Sequence, residues 1–433
     1  MNSESTTLNP EQAPSERVEA LHPDQLIGVI VMSRVSEYFG LFTFAIASAL
    51  VFPHVIFPNY EPLAGTLLSF GVFSLMFIGR PFARLIFRRL DRRVGRAAKI
   101  TVAMFVLGGC TIVIGFLPGY AEIGIVAPIL LCIARFGQGL GVGGVWDGLP
   151  VIMMMEAPEK RRSWYAMIPQ LGGPLGFLIS ASIFFVLTNF LTADEFLTWG
   201  WRFPFFVGLS LHVVALFARL RLIDTPEYQY AVQSLELRGS SVRAVLQHHW
   251  LQVLLGAYLP LAAYALFQMV AIFPLGYVSL YTELAIPDLL IMQMSGAFIA
   301  VITCILSGPL ADRFGRRRYL MVIAVLIGLL SFSIVDLLDR AWIYVLLGFA
   351  LLGLSFGQSG GTLPHRFKPE YRFTGVSLTQ DLSWFFGAAF APIIALGLTA
   401  WLGIEFAGYY LLSGAVATLA SLYVVQRMSR SGR

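Results

Sequence analysis

The chain has 433 residues, of which 57% are hydrophobic and only 13% charged. A water-facing surface needs roughly a quarter charged residues, so this composition excludes an assembly of soluble domains and places the chain in a bilayer. The formal net charge of +5 then reads as membrane topology and requires no nucleic-acid partner.

Residues 1-25 are polar, acidic and Pro-containing, which predicts a flexible tail. They lack the basic start and small-residue cleavage site of a secretory signal. Hydrophobic runs of about 20 residues or more, long enough to cross ~30 Å of hydrocarbon as helices, follow near 26-52, 62-87, 99-118, 123-150, 163-190, 203-222, 250-280, 286-311, 319-338, 341-362, 373-399 and 403-425. Strands of a membrane barrel are shorter and alternate in polarity. The expected fold is therefore an all-α integral membrane bundle of twelve transmembrane helices.

Its predicted parts are an N-terminal six-helix bundle (26-222), a linker (223-249), a C-terminal six-helix bundle (250-425) and a short tail (426-433). Basic residues concentrate in the loops near 88-99, 156-163, 219-249, 313-318 and 365-372 and in the C-terminal tail. The loops near 52-62, 118-123, 280-287 and 399-405 carry none. By the positive-inside rule both termini are expected in the cytoplasm. The linker starts as a helix should, with Thr225 to cap, Pro226 at the first position and Glu227 at the positive end of the dipole. An amphipathic surface helix is the expectation. Cys110, Cys132 and Cys304 lie in apolar runs, so neither a disulfide framework nor a metal site is expected. His54, His248 and His249 fall near helix ends and read as surface residues.

The stretch FRRLDRRVGR (87-96) repeats its ending 220 positions later in SGPLADRFGR (307-316), pairing Arg93 with Arg313, Gly95 with Gly315 and Arg96 with Arg316. Such a duplicated turn after the second helix of each half is what repeats in a transporter predict. In the second copy Gly308 permits close helix approach, and Asp312 can accept hydrogen bonds or face the positive end of another helix. The first copy is altered: Arg88 stands at the Gly308 position, Arg92 stands at the Asp312 position, and Asp91 comes one place early. One residue rotates a helical side chain by about 100°. A weaker or differently paired contact follows, with Glu156 and Glu159 as candidate partners.

With RP at Arg80-Pro81, RFGQGLGVGG at 135-144, WGWRFPFF at 199-206, DTPEY at 224-228, GPLADRFGRR at 308-317 and YRFTG at 371-375, the chain resembles the major facilitator superfamily. Within it, the chain is most similar to the metabolite:proton symporters, which include shikimate, 2-oxoglutarate and proline/betaine carriers. The resemblance covers nearly the whole chain from about residue 27. It implies two six-helix bundles rocking about a midplane site. It also implies a cytoplasmic latch built from Arg88, Asp91, Arg92, Gly95, Arg96, Gly308, Asp312, Arg313, Gly315 and Arg316, and function as a monomer.

An ionisable residue inside a spanning helix costs several kcal/mol and is a functional candidate by default. The candidates are Arg34, Glu37, Arg80, Arg84, Arg135, Asp147 and Asp381. Arg135 matches the family's embedded arginine, linked to proton coupling, and its planar fork suits a carboxylate. Glu37 lies three residues from Arg34, on the same face. Two readings stay open: a neutralised structural pair, or Glu37 as proton carrier, matching the acid of the family's E-W-Y-D-F pattern. The chain departs from the family at Gly40, Val145 and His365, each at a position where the family has an acid, and at Asp381, where it has an amide. Asp147 is either a coupling residue or an ordinary interfacial one. The proton-coupling set is thus Glu37, Arg135, Asp147 and Asp381. Arg34 and Arg84, with Tyr38, Trp146, Tyr264, Gln268 and Trp384, form the expected solute-binding wall.

The chain contains neither a phosphate-binding GxxxxGK[ST] loop nor a convincing catalytic or metal-ligating cluster, so neither an enzyme nor a cofactor is expected. The predicted function is proton-coupled secondary transport of a small polar metabolite, an organic acid by preference, across the bacterial inner membrane. An exporter by proton antiport and a transporter-like sensor without flux are the alternatives.

Overall fold

The computed structural model describes residues 23–234, 237, 239–336, 340–361 and 363–431. Most of the tail expected at 1-25 lies outside them. Among the described residues every regular element is helical. Eleven stretches are long and apolar enough to cross a membrane: α1 (Leu26–Leu50), α2 (Pro62–Val94), α3 (Arg96–Gly115), α4 (Val126–Glu156), α5 (Glu159–Phe190), α6 (Gly200–Ile223), α7 (Val242–Tyr281), α8 (Ile286–Phe314), α9 (Arg316–Val335), α11 (Pro369–Leu402) and α12 (Ile404–Met428). Between them α10 (Ala341–Phe356) has 16 residues, about four short of a full crossing, and continues as turns through the glycine-rich segment 357–361.

Prolines and glycines set the breaks. Gly95 (φ 97°) and Gly315 (φ 81°) occupy the left-handed region that a side chain resists, and each joins two helices without an intervening loop. Gly148 (φ 85°) interrupts α4, Pro260 and Pro274 segment α7, and a π turn at Phe385–Ala389 divides α11. Between the halves a helix runs over Pro226–Ser234, with Thr225 Oγ1 accepting from the Tyr228 amide at 3.3 Å. Several ends differ from expectation. The seventh span starts at Val242, capped by Ser241, eight residues before the predicted 250. The C-terminal helix continues to Ser431 through most of the expected tail. His249, expected at the surface, is buried beside Phe367 and Tyr371.

Small residues bring backbones together where side chains would hold them apart. A Cβ on Gly139 would sit 2.2 Å from the Met76 carbonyl, and one on Gly143 would sit 2.5 Å from that of Arg80, so α4 lies directly on α2. Large apolar side chains such as Phe105, Phe116, Phe190 and Trp401 point outward, as a lipid-facing belt requires.

Candidate solute and ion site

The polar interior is concentrated between the halves. On α1, Arg34 donates to Glu37 at 2.8 Å. The other Glu37 oxygen accepts from Arg219 of α6 at 2.5 Å, and Arg219 Nε lies 3.4 Å from Asp147 of α4. Asp147 also accepts the Leu149 amide at 3.0 Å. It is 4% exposed. A second group bridges the halves: Arg80 Nε of α2 lies 3.1 Å from Asp381 of α11, and Arg84 donates to the same carboxylate and to Ser377. Among the described residues these two groups hold four guanidinium groups against three carboxylates.

Two small adjoining cavities run through them, both lined by Arg34, Glu37, Arg80 and Gln380. Their volumes of about 20 and 30 Å³ hold about one water molecule each, so the chamber has no room for a larger solute. Aromatic rings close it. Trp384 packs on Tyr264 (4.5 Å between centroids), Tyr38 (5.6 Å) and Phe77 (5.9 Å), while Trp146 lies under the Arg34 guanidinium at 5.8 Å.

Most of the predicted wall is assembled here: Arg34, Tyr38, Trp146, Tyr264 and Trp384 all line one or both cavities. Gln268 does not. It is fully buried, and its amide group has no hydrogen-bond partner. Arg84 lies behind the chamber, on the Asp381 bridge. Arg135 is also apart, enclosed by the Phe44 and Phe73 rings at 3.9 and 5.0 Å and bonded to Gln138, which in turn bonds Thr111. Among the described residues it has no carboxylate partner, and its Nη2 is unpaired.

The residues that sequence reasoning missed are Arg219, Gln170, Gln380 and His212. Arg219 is 4% exposed, and His212 Nδ1 lies 2.7 Å from Ser36 Oγ. A signal for the α6 residues existed: Gly208, His212, Ala215 and Arg219 fall on one face of an otherwise apolar helix.

The two copies of the repeated turn differ. In the second, Asp312 accepts the amides of Ser163 and Trp164 at 2.8 and 3.2 Å. A Cβ on Gly308 would meet Trp164 Cα at 2.9 Å, and Arg316 donates to Gln358 at 2.9 Å. Arg313 is the last basic residue of α8. In the first, Arg96 turns to Tyr228 Oη (3.0 Å) and the Leu237 carbonyl (2.7 Å) instead of Glu156 or Glu159, and Glu159 pairs with Arg162. Nearby, burial and the charges of Arg162, Arg372 and Arg316 hold the His365 imidazole below the usual range. Asp312→Ala strands two amides. Losing roughly 1.5 kcal/mol there is expected to speed maleimide labelling of a Ser163→Cys reporter about tenfold, a rate measurable by mass shift.

Comparison with known proteins decides the family. The major facilitator superfamily model matches residues 38–392. The chain belongs to the major facilitator superfamily. It is 35% identical over 98% of both chains to the inner membrane metabolite transport protein YhjE of Escherichia coli K12, and 29% identical to that strain's shikimate transporter, over 92% of this chain and 93% of the relative. A crystal structure of a D-xylose-proton symporter superposes with a TM-score of 0.68 at 17% identity, covering 92% of this chain and 96% of the other. This superfamily member is a multi-pass membrane transporter and not an enzyme, and the twelve-helix expectation agrees with the fold of its neighbours.

Proposed function

We propose that this transporter carries a small organic acid as its anion, together with a proton, across the cytoplasmic membrane. The observation that carries the reading is the surplus of one guanidinium over carboxylate across the two ion-pair groups that meet at the chamber, Arg84 standing behind it. A buried unpaired charge is costly, and a bound monoanion would balance it. The amides of Gln170 and Gln380 and the faces of Tyr38 and Trp384 supply polar and apolar contact for the body of the solute. The relative named a shikimate transporter supports an acid, and the neighbour titled a proton symporter supports coupling.

Glu37 is the coupling residue in this reading. It holds Arg34 and Arg219 together. A proton on Glu37 releases both guanidinium groups to a solute carboxylate, so proton and anion enter the same state. Asp147 then keeps Arg219 in place, and Arg135 braces α2 against α4 without meeting the solute. Both termini and the linker face the cytoplasm, the side to which the basic loops belong, and the unit acts as a monomer.

Proteoliposomes given a panel of carboxylates, zwitterions and cations should show external alkalinisation with an acid and with no cation; a signal from cations alone would overturn the reading. Glu37→Gln should retain solute exchange while losing uphill uptake. Unchanged uphill uptake would remove Glu37 from the coupling step.

A further inference from the structure

At the end of the bundle that carries the basic turns, a cavity of about 440 Å³ opens between the halves. It is bounded by the end of α2, the start of α3, the break in α4, residues 239–243 and the start of α11. The Arg80–Asp381–Arg84 bridge stands between it and the central chamber, and Gly143, Trp146 and Ser377 line both. Its described lining carries five cations (Arg84, already bridged to Asp381, with Arg88, Arg89, Lys99 and Arg243) against one carboxylate, Asp91, which makes no ion pair or side-chain hydrogen bond.

Several donors in this lining have nothing to donate to. Arg84 Nε and Nη1, Trp146 Nε1 and Ser240 Oγ are buried and without partners. The seventeen-residue helix Val242–Tyr258 begins at the rim, adding the positive end of its dipole. Unpaired donors, clustered cations and a helix N-terminus all ask for an anion.

The internal repeat says what that anion would do. At one seam the α8 carboxylate Asp312 holds the start of α5. At the related seam, 220 positions earlier, the Asp312 equivalent is Arg92 and the Gly308 equivalent is Arg88. The cationic cavity lies at this second place, where the Asp312 position holds an arginine and the neighbouring Asp91 makes no ion pair. We infer that the cavity binds a phosphate-bearing anion, which supplies from outside the chain the negative charge that Asp312 supplies within it and so clamps α2 to α11. Occupancy would favour the state closed on this side and make the transport cycle responsive to that anion. The site lies off the solute chamber, and its test reads binding instead of flux, so it stands apart from the proposed function.

The shared chemistry is a phosphate group, either free or on a lipid head. The full chain in neutral detergent should gain thermal stability with inorganic phosphate at matched ionic strength if the anion is soluble. In phosphatidylcholine vesicles, adding phosphatidylglycerol should give the gain if the source is the membrane. In whichever arm responds, Arg88→Ala combined with Arg243→Ala should weaken the response about tenfold, the loss expected from one or two charge-assisted bonds, and Arg88→Lys with Arg243→Lys should keep most of it. Arg243→Gln alone, at an exposed position, provides the same comparison should the double alanine variant not fold. No gain in either arm, or a gain unchanged by these variants, would overturn the inference.

Discussion

Arg219→Gln is expected to abolish uptake and to destabilise the protein more than any other single change at the site. Arg219 is 4% exposed and is the link between Glu37 and Asp147. Removing it leaves two carboxylates facing each other in a low-dielectric interior with only Arg34 for balance. Breaking a buried pair by deleting one partner costs about 3–5 kcal/mol, enough to lower the yield of folded protein and its thermal midpoint together. A second change, Asp147→Asn in the Arg219→Gln background, should recover much of the midpoint without recovering transport, because it removes the stranded charge but not the need for a guanidinium. Thermal unfolding in detergent and uptake in vesicles read the two effects separately. A single variant that kept wild-type uptake would show that Arg219 is dispensable.

Asp381→Asn should act in the opposite direction on binding. Asp381 occupies Arg80 and Arg84 simultaneously, so in this closed state it competes with any solute carboxylate for Arg80, which lines the chamber. Without its charge the solute should bind about tenfold more tightly or better, since one charge-assisted contact is worth roughly 1.5 kcal/mol or more. Net uptake should nonetheless fall, because Asp381 is also the bridge from α11 to α2, and the amide would hold that seam closed only weakly. Solute-induced thermal shift measures the first effect, and counterflow in vesicles measures the second. Weaker binding in this variant would mean that Asp381 contacts the solute directly.

These pairings mark how far the sequence could be read. Spanning helices were legible because bilayer thickness fixes their length and composition, and the repeated turn was legible because its glycine and arginines recur at a fixed offset. Arg34 with Glu37 was legible because three residues of helix bring side chains together. Arg219 with Glu37 is a contact across 182 positions, and no local spacing encodes it. Its place beside Arg221 made it look like one more basic residue at a helix end. Asp381 could be marked as misplaced charge, yet its partners lie in the other half. Gln268 stands one turn from Tyr264 in the unbroken helix Leu261–Ala271, yet it is buried and lines neither cavity.

The contact between Gly139, Gly143 and the carbonyls of Met76 and Arg80 has a mechanical meaning. Two backbones this close leave no layer of side chains to shear, so α2 and α4 behave as one stiff beam. Arg80 and Arg84 ride on the first member, Trp146 and Asp147 on the break in the second. A tilt of that beam moves the inter-half bridge and the chamber wall in a single stroke, with little freedom for one to open while the other lags. Inserting a methyl at Gly139 would wedge the beam apart, and the resulting play would let the bridge and the chamber wall move independently.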